Sequence, residues 1–196
     1  MIIGITGNSG TGKTTICNEI AKQYKGKTNI IDADEISKEL LTPGNEYFKE
    51  VLNLFGIEVL NMEKTIDRKK LANIIFNDSK KREQLDKLTF KFVGEETKKR
   101  LIENKEILNI IDAPLLIESD LYKLCDIVIS IISDKDSKIQ RICKRDNIDK
   151  KIATLRINSQ KEDEFFIKNS DYIIINNDVD IQEKVKEIID IIKKVK

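Results

Sequence analysis

Histidine is absent from all 196 residues, which removes the commonest general base and the commonest zinc ligand from consideration. Any proton transfer falls to a carboxylate or to phosphate groups. Cysteine is scarce. Cys17, Cys125 and Cys143 are odd in number, widely spaced and without a C-x-x-C pair, so neither a disulfide framework nor a zinc site is expected, and a reducing cytoplasm fits best. Long apolar runs are missing too: no stretch approaches the ~20 residues of a spanning helix. Met1 to Thr6 carries no cationic segment followed by an apolar run. A soluble, unprocessed chain without a membrane partner is expected. Excess charge is lacking as well, since 35 Lys+Arg nearly cancel 34 Asp+Glu and leave +1. Nothing in that balance attracts nucleic acid, so any electrostatic function is local.

Hydrophobic residues make up 40% of the chain, enough for one sizeable core with an insertion. Short Ile-rich runs occur at Ile2 to Ile5, Ile30 to Ile31, Ile107 to Ile111, Ile127 to Ile132 and Tyr172 to Ile175. They do not alternate, as suits strands of a parallel sheet covered on both faces. Thr14 to Tyr24 and Ile181 to Val195 place apolar residues three and four apart, the spacing of helices packed on such a sheet. The order of elements favours a doubly wound α/β domain. From about Glu35 to Lys105 helical patterns follow one another, punctuated by Pro43-Gly44, Gly56 and Asn77-Asp78, which reads as a helical insertion. A polar stretch from Ser133 to Lys168 reads as a helical cover over a site.

Gly7-Asn8-Ser9-Gly10-Thr11-Gly12-Lys13-Thr14 satisfies G-x-x-x-x-G-K-[ST] directly between the first strand and the first helix. The glycines let backbone N–H groups approach phosphate oxygens, the helix offers its positive dipole end, and Lys13 can reach β and γ phosphates. Thr14 is positioned to give a hydroxyl to Mg²⁺. The alternative is a turn that merely joins strand to helix, but the pattern arises by chance in roughly one chain of this length in a hundred. The loop alone does not separate a kinase from a GTPase or an ATP-driven switch; no N-K-x-D stretch for guanine is present.

Two carboxylates, Asp32 and Asp34, fall at the end of the second strand, at the edge where open α/β sheets bind ligands. Asp34 could orient or deprotonate an acceptor hydroxyl, whereas either residue could instead cap a helix beginning near Glu35. Asp112, at the end of the third strand, is either a water-mediated Mg²⁺ ligand or a turn residue before Pro114, and Glu118 is a weaker candidate. Arg141 and Arg145 are four apart and share a helix face, which is either solvated or folded over phosphates.

Several of these segments, in order, resemble the dephospho-coenzyme A kinase family along nearly the whole chain. Ile3-Gly4-Ile5-Thr6-Gly7 through Lys13-Thr14-Thr15 is similar to its opening strand and loop, and Asp32-Ala33-Asp34 to its D-A-D motif. Pro43-Gly44, Phe55-Gly56, Ile66-Asp67-Arg68 with Leu71, Ile75-Phe76-Asn77-Asp78 and Leu85 follow in its succession. Asp112-Ala113-Pro114-Leu115-Leu116-Ile117-Glu118 resembles its D-x-P-L-L-F-E segment. Gln140-Arg141, Arg145, Ala153, Arg156-Ile157 and Gln160 resemble its lid, and Ser170 to Ile174 with Asn176 its last strand and adenine-side loop.

The resemblance implies a P-loop NTPase fold, three layers α/β/α around a five-stranded parallel sheet. Its core would take up about residues 1–34, 106–132 and 169–196, with an acceptor-binding helical region at 35–105 and a lid at 133–168. It implies transfer of the ATP γ-phosphate to the 3′-hydroxyl of dephospho-coenzyme A, with ATP and Mg²⁺ as cofactors. Lys13, Asp34 and Arg141 would be catalytic, and Gly10, Thr11, Gly12, Lys13, Thr14, Thr15, Arg145 and Asn176 would bind ATP. Asp32, Asp34 and Leu115 would contact the acceptor, and Thr14 and Asp112 the metal. Two positions depart from the family: Thr89-Phe90 stands where it has His-Pro, on the acceptor side, and Asn177 where it has Gly. Other small-metabolite or nucleoside kinases, and a nucleotide-binding member without transfer, are the competing readings. Length and charge are compatible with monomer, dimer or trimer alike.

Overall fold

Ile-rich strands run through the computed structural model, which describes residues 1–105, 107–177 and 180–195. Glu106, Asp178, Val179 and Lys196, included in the expected core segments, lie outside the described residues. Strands β1 (Ile2–Thr6), β2 (Thr28–Asp32), β3 (Leu108–Asp112), β4 (Ile127–Ile132) and β5 (Tyr172–Ile175) form one sheet in the order β2-β3-β1-β4-β5. The sheet is parallel and five-stranded, as expected. In the central register Ile3 lies opposite Ile110 on one side and Ile127 on the other, and Ile5 opposite Asp112 and Ile129. All five residues of β3 are buried, which is why its sequence shows no alternation.

The chain divides into two units, residues 1–31 with 101–196, and residues 32–100. In the first, helices α1 (Lys13–Gln23) and α9 (Ile181–Val195) supply Ile16, Ile20, Val185, Ile188 and Ile192 to a core shared with every second residue of the strands: Ile3 and Ile5, Leu108 and Ile110, Ile129 and Ile131. Each fully buried isoleucine contributes roughly 2 kcal/mol by area. The stretch 133–168 forms α6 (Lys135–Asp146), α7 (Lys150–Asn158) and α8 (Asp163–Lys168). Asp134 and Asp149 cap α6 and α7 by accepting backbone N–H bonds from Ser137 and Ile152, both at 2.8 Å. Ile139 and Ile142 pack on Ala153 and Ile157 between these two helices.

The second unit contains α2 (Ala33–Leu40), α3 (Glu46–Phe55), α4 (Arg68–Asn77) and most of α5 (Ser79–Glu103). Its own core joins Tyr47, Phe48, Val51 and Phe55 of α3 to Leu71 and Leu85. Asp67 and Asp78, both noted as motif residues, accept backbone N–H bonds from the first turns of α4 and α5. Their place in the sequence pattern is therefore explained by helix starts. The second helix begins at Ala33, two residues earlier than the expected start near Glu35, because the cap is Asp32.

Helix α5 runs through Thr89-Phe90 without a break, where a proline would remove an N–H donor and kink it. The Thr89 hydroxyl donates to the Leu85 carbonyl at 2.8 Å, so it accepts from the Tyr47 phenol at 2.6 Å. Tyr47 is 2% exposed, and burial pushes its phenol above the ordinary value, keeping it a donor. At this position the chain has a buried tie between α3 and α5.

Candidate active site

The phosphate loop leaves β1 at Thr6 and enters α1 at Lys13, with Gly12 as the N-cap at φ 89°. Gly7 has φ 137°, and a Cβ there would stand 2.1 Å from the Ile131 carbonyl of β4. Only glycine accommodates both the backbone angle and that approach. Within the loop the Asn8 carbonyl accepts from the Thr11 hydroxyl at 2.9 Å and from the Lys13 ammonium at 3.3 Å. Lys13 thus opens α1 with its charge folded along the loop whose N–H groups it accompanies. Thr15, the next residue but one, is exposed on the first turn of α1.

Thr14 and Asp112 are 98 positions apart, and parallel pairing of β1 with β3 brings them together. The Thr14 hydroxyl donates to Asp112 Oδ2 at 2.6 Å. Asp112 is 3% exposed at the last position of β3. This is a pair of hard oxygen donors at the mouth of the phosphate loop, of the kind that magnesium takes together with water and phosphate.

Asn176, 4% exposed just beyond β5, donates from its side-chain amide to the Thr11 carbonyl at 2.7 Å. Its own carbonyl accepts from Ser133 and from Arg141 Nη2, the latter at 3.0 Å. Arg141 Nη1 donates to the Gly10 carbonyl at 3.2 Å and to Ser133 Oγ at 3.1 Å. Arg141 therefore gathers the phosphate loop with the ends of β4 and β5. Arg145, one turn later on α6, donates from Nη2 to Ser9 Oγ at 3.2 Å. The shared helix face is real, and it contacts the phosphate loop at Ser9 and Gly10.

Sequence reasoning did not single out Asn8, Ser9, Ser133 or Asp146. Asn8 donates to the Lys161 carbonyl at 2.7 Å, so three consecutive loop residues, Asn8, Ser9 and Gly10, are bonded to the segment between 133 and 168. The only available signal was that Asn8 and Ser9 fill variable positions of the loop with short polar side chains. Lys138, buried on α6, pairs with Asp163 of α8 at 3.4 Å.

Of the paired leucines after β3, Leu116 is fully buried against Gly4, while Leu115 is 45% exposed. Asp32 ends β2 and caps α2, accepting from the Glu35 N–H at 3.0 Å. Asp34 is exposed in the first turn of α2, where a carboxylate also suits the helix dipole.

Glu118 has a buried Oε2 that meets no hydrogen-bond donor among the described residues. Burial raises its carboxyl above the ordinary 4.5, opposed by its own backbone N–H and by the Lys161 charge. A raised folded-state pKa means that the folded protein holds the proton more tightly, so stability falls as pH rises from about 4.5 through the folded value. Glu118→Gln is expected to raise Tm at pH 7 by on the order of 1–2 °C, discounted for partial exposure, and to leave it unchanged at pH 4. Thermal melts at the two pH values check this; an equal shift at both would assign the effect to packing.

Comparison with known proteins extends beyond the loop. A family model described as CoaE, dephospho-CoA kinase, matches residues 1–183. A Listeria monocytogenes protein named dephospho-CoA kinase is 37% identical over 179 residues, covering 90% of this chain and 88% of its own. A solved dephospho-CoA kinase from Campylobacter jejuni is 27% identical with a TM-score of 0.68, covering 98% of this chain and 97% of its own. A Thermus thermophilus structure superposes with a TM-score of 0.83 at 20% identity, covering 99% and 96%, and supports the fold alone. Among the described residues no helix is long and apolar enough to cross a membrane. Because the match runs through the phosphate loop, the helical unit and the arginine-bearing segment alike, this chain belongs to the dephospho-CoA kinase family.

Proposed function

We propose that the protein transfers the γ-phosphate of ATP to the 3′-hydroxyl of the ribose in dephospho-coenzyme A, in the cytoplasm, as the last step of coenzyme A synthesis. The observation that carries this reading is the extent of the family match. It covers residues 1–183 and so includes the helical unit as well as the phosphate loop, which other P-loop proteins share. The cysteine spacing, which offers no disulfide framework, supports the compartment.

ATP phosphates lie along the loop from Gly10 through Thr15, whose backbone the glycines hold open. Lys13 and Arg141 support the charge that spreads over the phosphoryl group as it leaves, with Arg145 beside them at Ser9. Asn176 contributes by holding the loop through the Thr11 carbonyl. Thr14 and Asp112 would hold Mg²⁺, and their 2.6 Å hydroxyl–carboxylate contact is the support for that assignment. Bound Mg²⁺ supplies neutralisation of the β and γ oxygens. On the acceptor side Asp34 accepts the proton of the attacking hydroxyl, a task that no histidine is present to perform. Asp32 and Leu115 contact the acceptor, Leu115 through its exposed apolar side chain.

The test is ADP release from Mg-ATP with and without dephospho-coenzyme A, beside adenosine, shikimate and dTMP. Release dependent on dephospho-coenzyme A alone is expected. Release with another acceptor, or acceptor-independent hydrolysis, would retain the phosphate site and overturn the substrate.

A further inference from the structure

Arg145 on α6 and Arg156 on α7 both bond one carboxylate, that of Asp146. Arg145 meets it as a fork: Nε to Oδ1 at 2.7 Å and Nη2 to Oδ2 at 3.0 Å. The same Nη2 reaches Ser9 Oγ at 3.2 Å. A fork fixes the plane of a guanidinium as well as its distance, which a single contact does not. Both arginines are solvent-exposed in part, Arg145 more than Arg156, so these pairs add little to stability. Asp146 is ionised throughout the working pH range, held at about 2, mainly by its hydrogen bond from Arg145 and further by that from Arg156. The triad is thus a permanent electrostatic arrangement that contributes little to the fold and has one arm on the phosphate loop.

We infer that Asp146 is a positioning residue for the phosphate site: it aims Arg145 at the loop through Ser9 and ties α7 into the same arrangement through Arg156. The inference rests on the reading of this site as an ATP-dependent transferase with Arg145 at the nucleotide. A bland role for Asp146 is simple charge balance between two cations. The two roles differ in sign. Asp146→Asn removes one negative charge beside the loop, so charge balance alone calls for tighter Mg-ATP binding with turnover retained. Positioning calls for a loss, because misplacing a phosphate-orienting group by about 1 Å costs up to ~10²-fold.

The experiment uses the full chain as wild type, Asp146→Asn, Asp146→Glu, Arg145→Ala and the Arg145→Ala/Asp146→Asn double variant. ADP release is measured against ATP concentration at saturating dephospho-coenzyme A, with Tm recorded for each variant. Asp146→Asn is expected to lose about tenfold or more in kcat/KM for ATP with Tm little changed, and Asp146→Glu to recover part of it. The double variant is expected to be no worse than Arg145→Ala, because Asp146 acts through Arg145. Wild-type kinetics in Asp146→Asn, tighter ATP use with full turnover, or two losses that simply multiply would each overturn the inference. If wild type releases no ADP with dephospho-coenzyme A, the substrate reading fails. The same cycle is then read as affinity for a non-hydrolysable Mg-ATP analogue, where coupling between the two residues supports the inference and its absence sinks it.

Discussion

Lys13→Ala is expected to cut acceptor-dependent ADP release by on the order of 10²-fold or more, since one preorganised donor at developing charge contributes roughly 3 kcal/mol to the barrier. The competing effect is structural. Lys13 donates to the Asn8 carbonyl at 3.3 Å, and its loss removes one loop bond. A partly exposed charged bond of that length contributes on the order of 1–2 kcal/mol, less than the catalytic term. Turnover should therefore collapse while Tm moves little. Steady-state kinetics beside a thermal melt separates the two, and near-normal turnover would remove Lys13 from the transfer step. A collapse of both would mean that the ammonium is chiefly a clasp on the loop.

Asp34→Asn is expected to lower kcat by about 10²-fold or more while leaving the KM for ATP within a fewfold range, as befits a general base for the acceptor. Asparagine keeps the shape and removes only the charge. The first-turn carboxylate of α2 also interacts with the helix dipole, worth about 0.5 kcal/mol at an exposed site, so stability should barely register the change. Asp32→Asn is a control for stability alone, because asparagine caps a helix as well as aspartate does and the Glu35 N–H keeps its acceptor, whereas its proposed contact with the acceptor loses a charge. If ATP affinity collapses in Asp34→Asn, or if kcat survives, Asp34 is no base and the hydroxyl proton leaves by way of the phosphates.

Legibility differed by element. The central strands β1, β3 and β4 were readable as apolar runs because burial on both faces needs no partner information, and the partly exposed edge strands β2 and β5 by their isoleucines, though the strand ends were not. The second strand reaches Thr28–Asp32 and the third Leu108–Asp112. Asp32 and Asp112 are polar residues that belong to strands by pairing or position in the sheet. Of the caps, the sequence pointed only to Asp32 or Asp34; those at Asp67, Asp134 and Asp149 are seen in the structure, where each accepts a first-turn backbone N–H. Which of Asp32 and Asp34 was the cap depended on where the strand stopped, a matter of sheet geometry. Thr89 was seen only as a departure from a motif. That its hydroxyl is shared between Tyr47 and the Leu85 carbonyl depends on how α3 packs on α5.

The phosphate loop, the alternation of strand and helix, and the family follow from the order of residues alone. Those rest on local requirements: glycine where φ is positive, apolar residues where both faces are covered, and motifs read in chain order. Which polar groups meet is set by the folding of the chain in three dimensions. Thr14 finds Asp112 across 98 positions, Arg145 finds Ser9 across 136, and Asn176 finds Thr11 across 165. Contacts of such separation leave no periodic trace in the sequence, because they are made by strand order and helix docking, and these are set by the burial of residues other than the ones that touch.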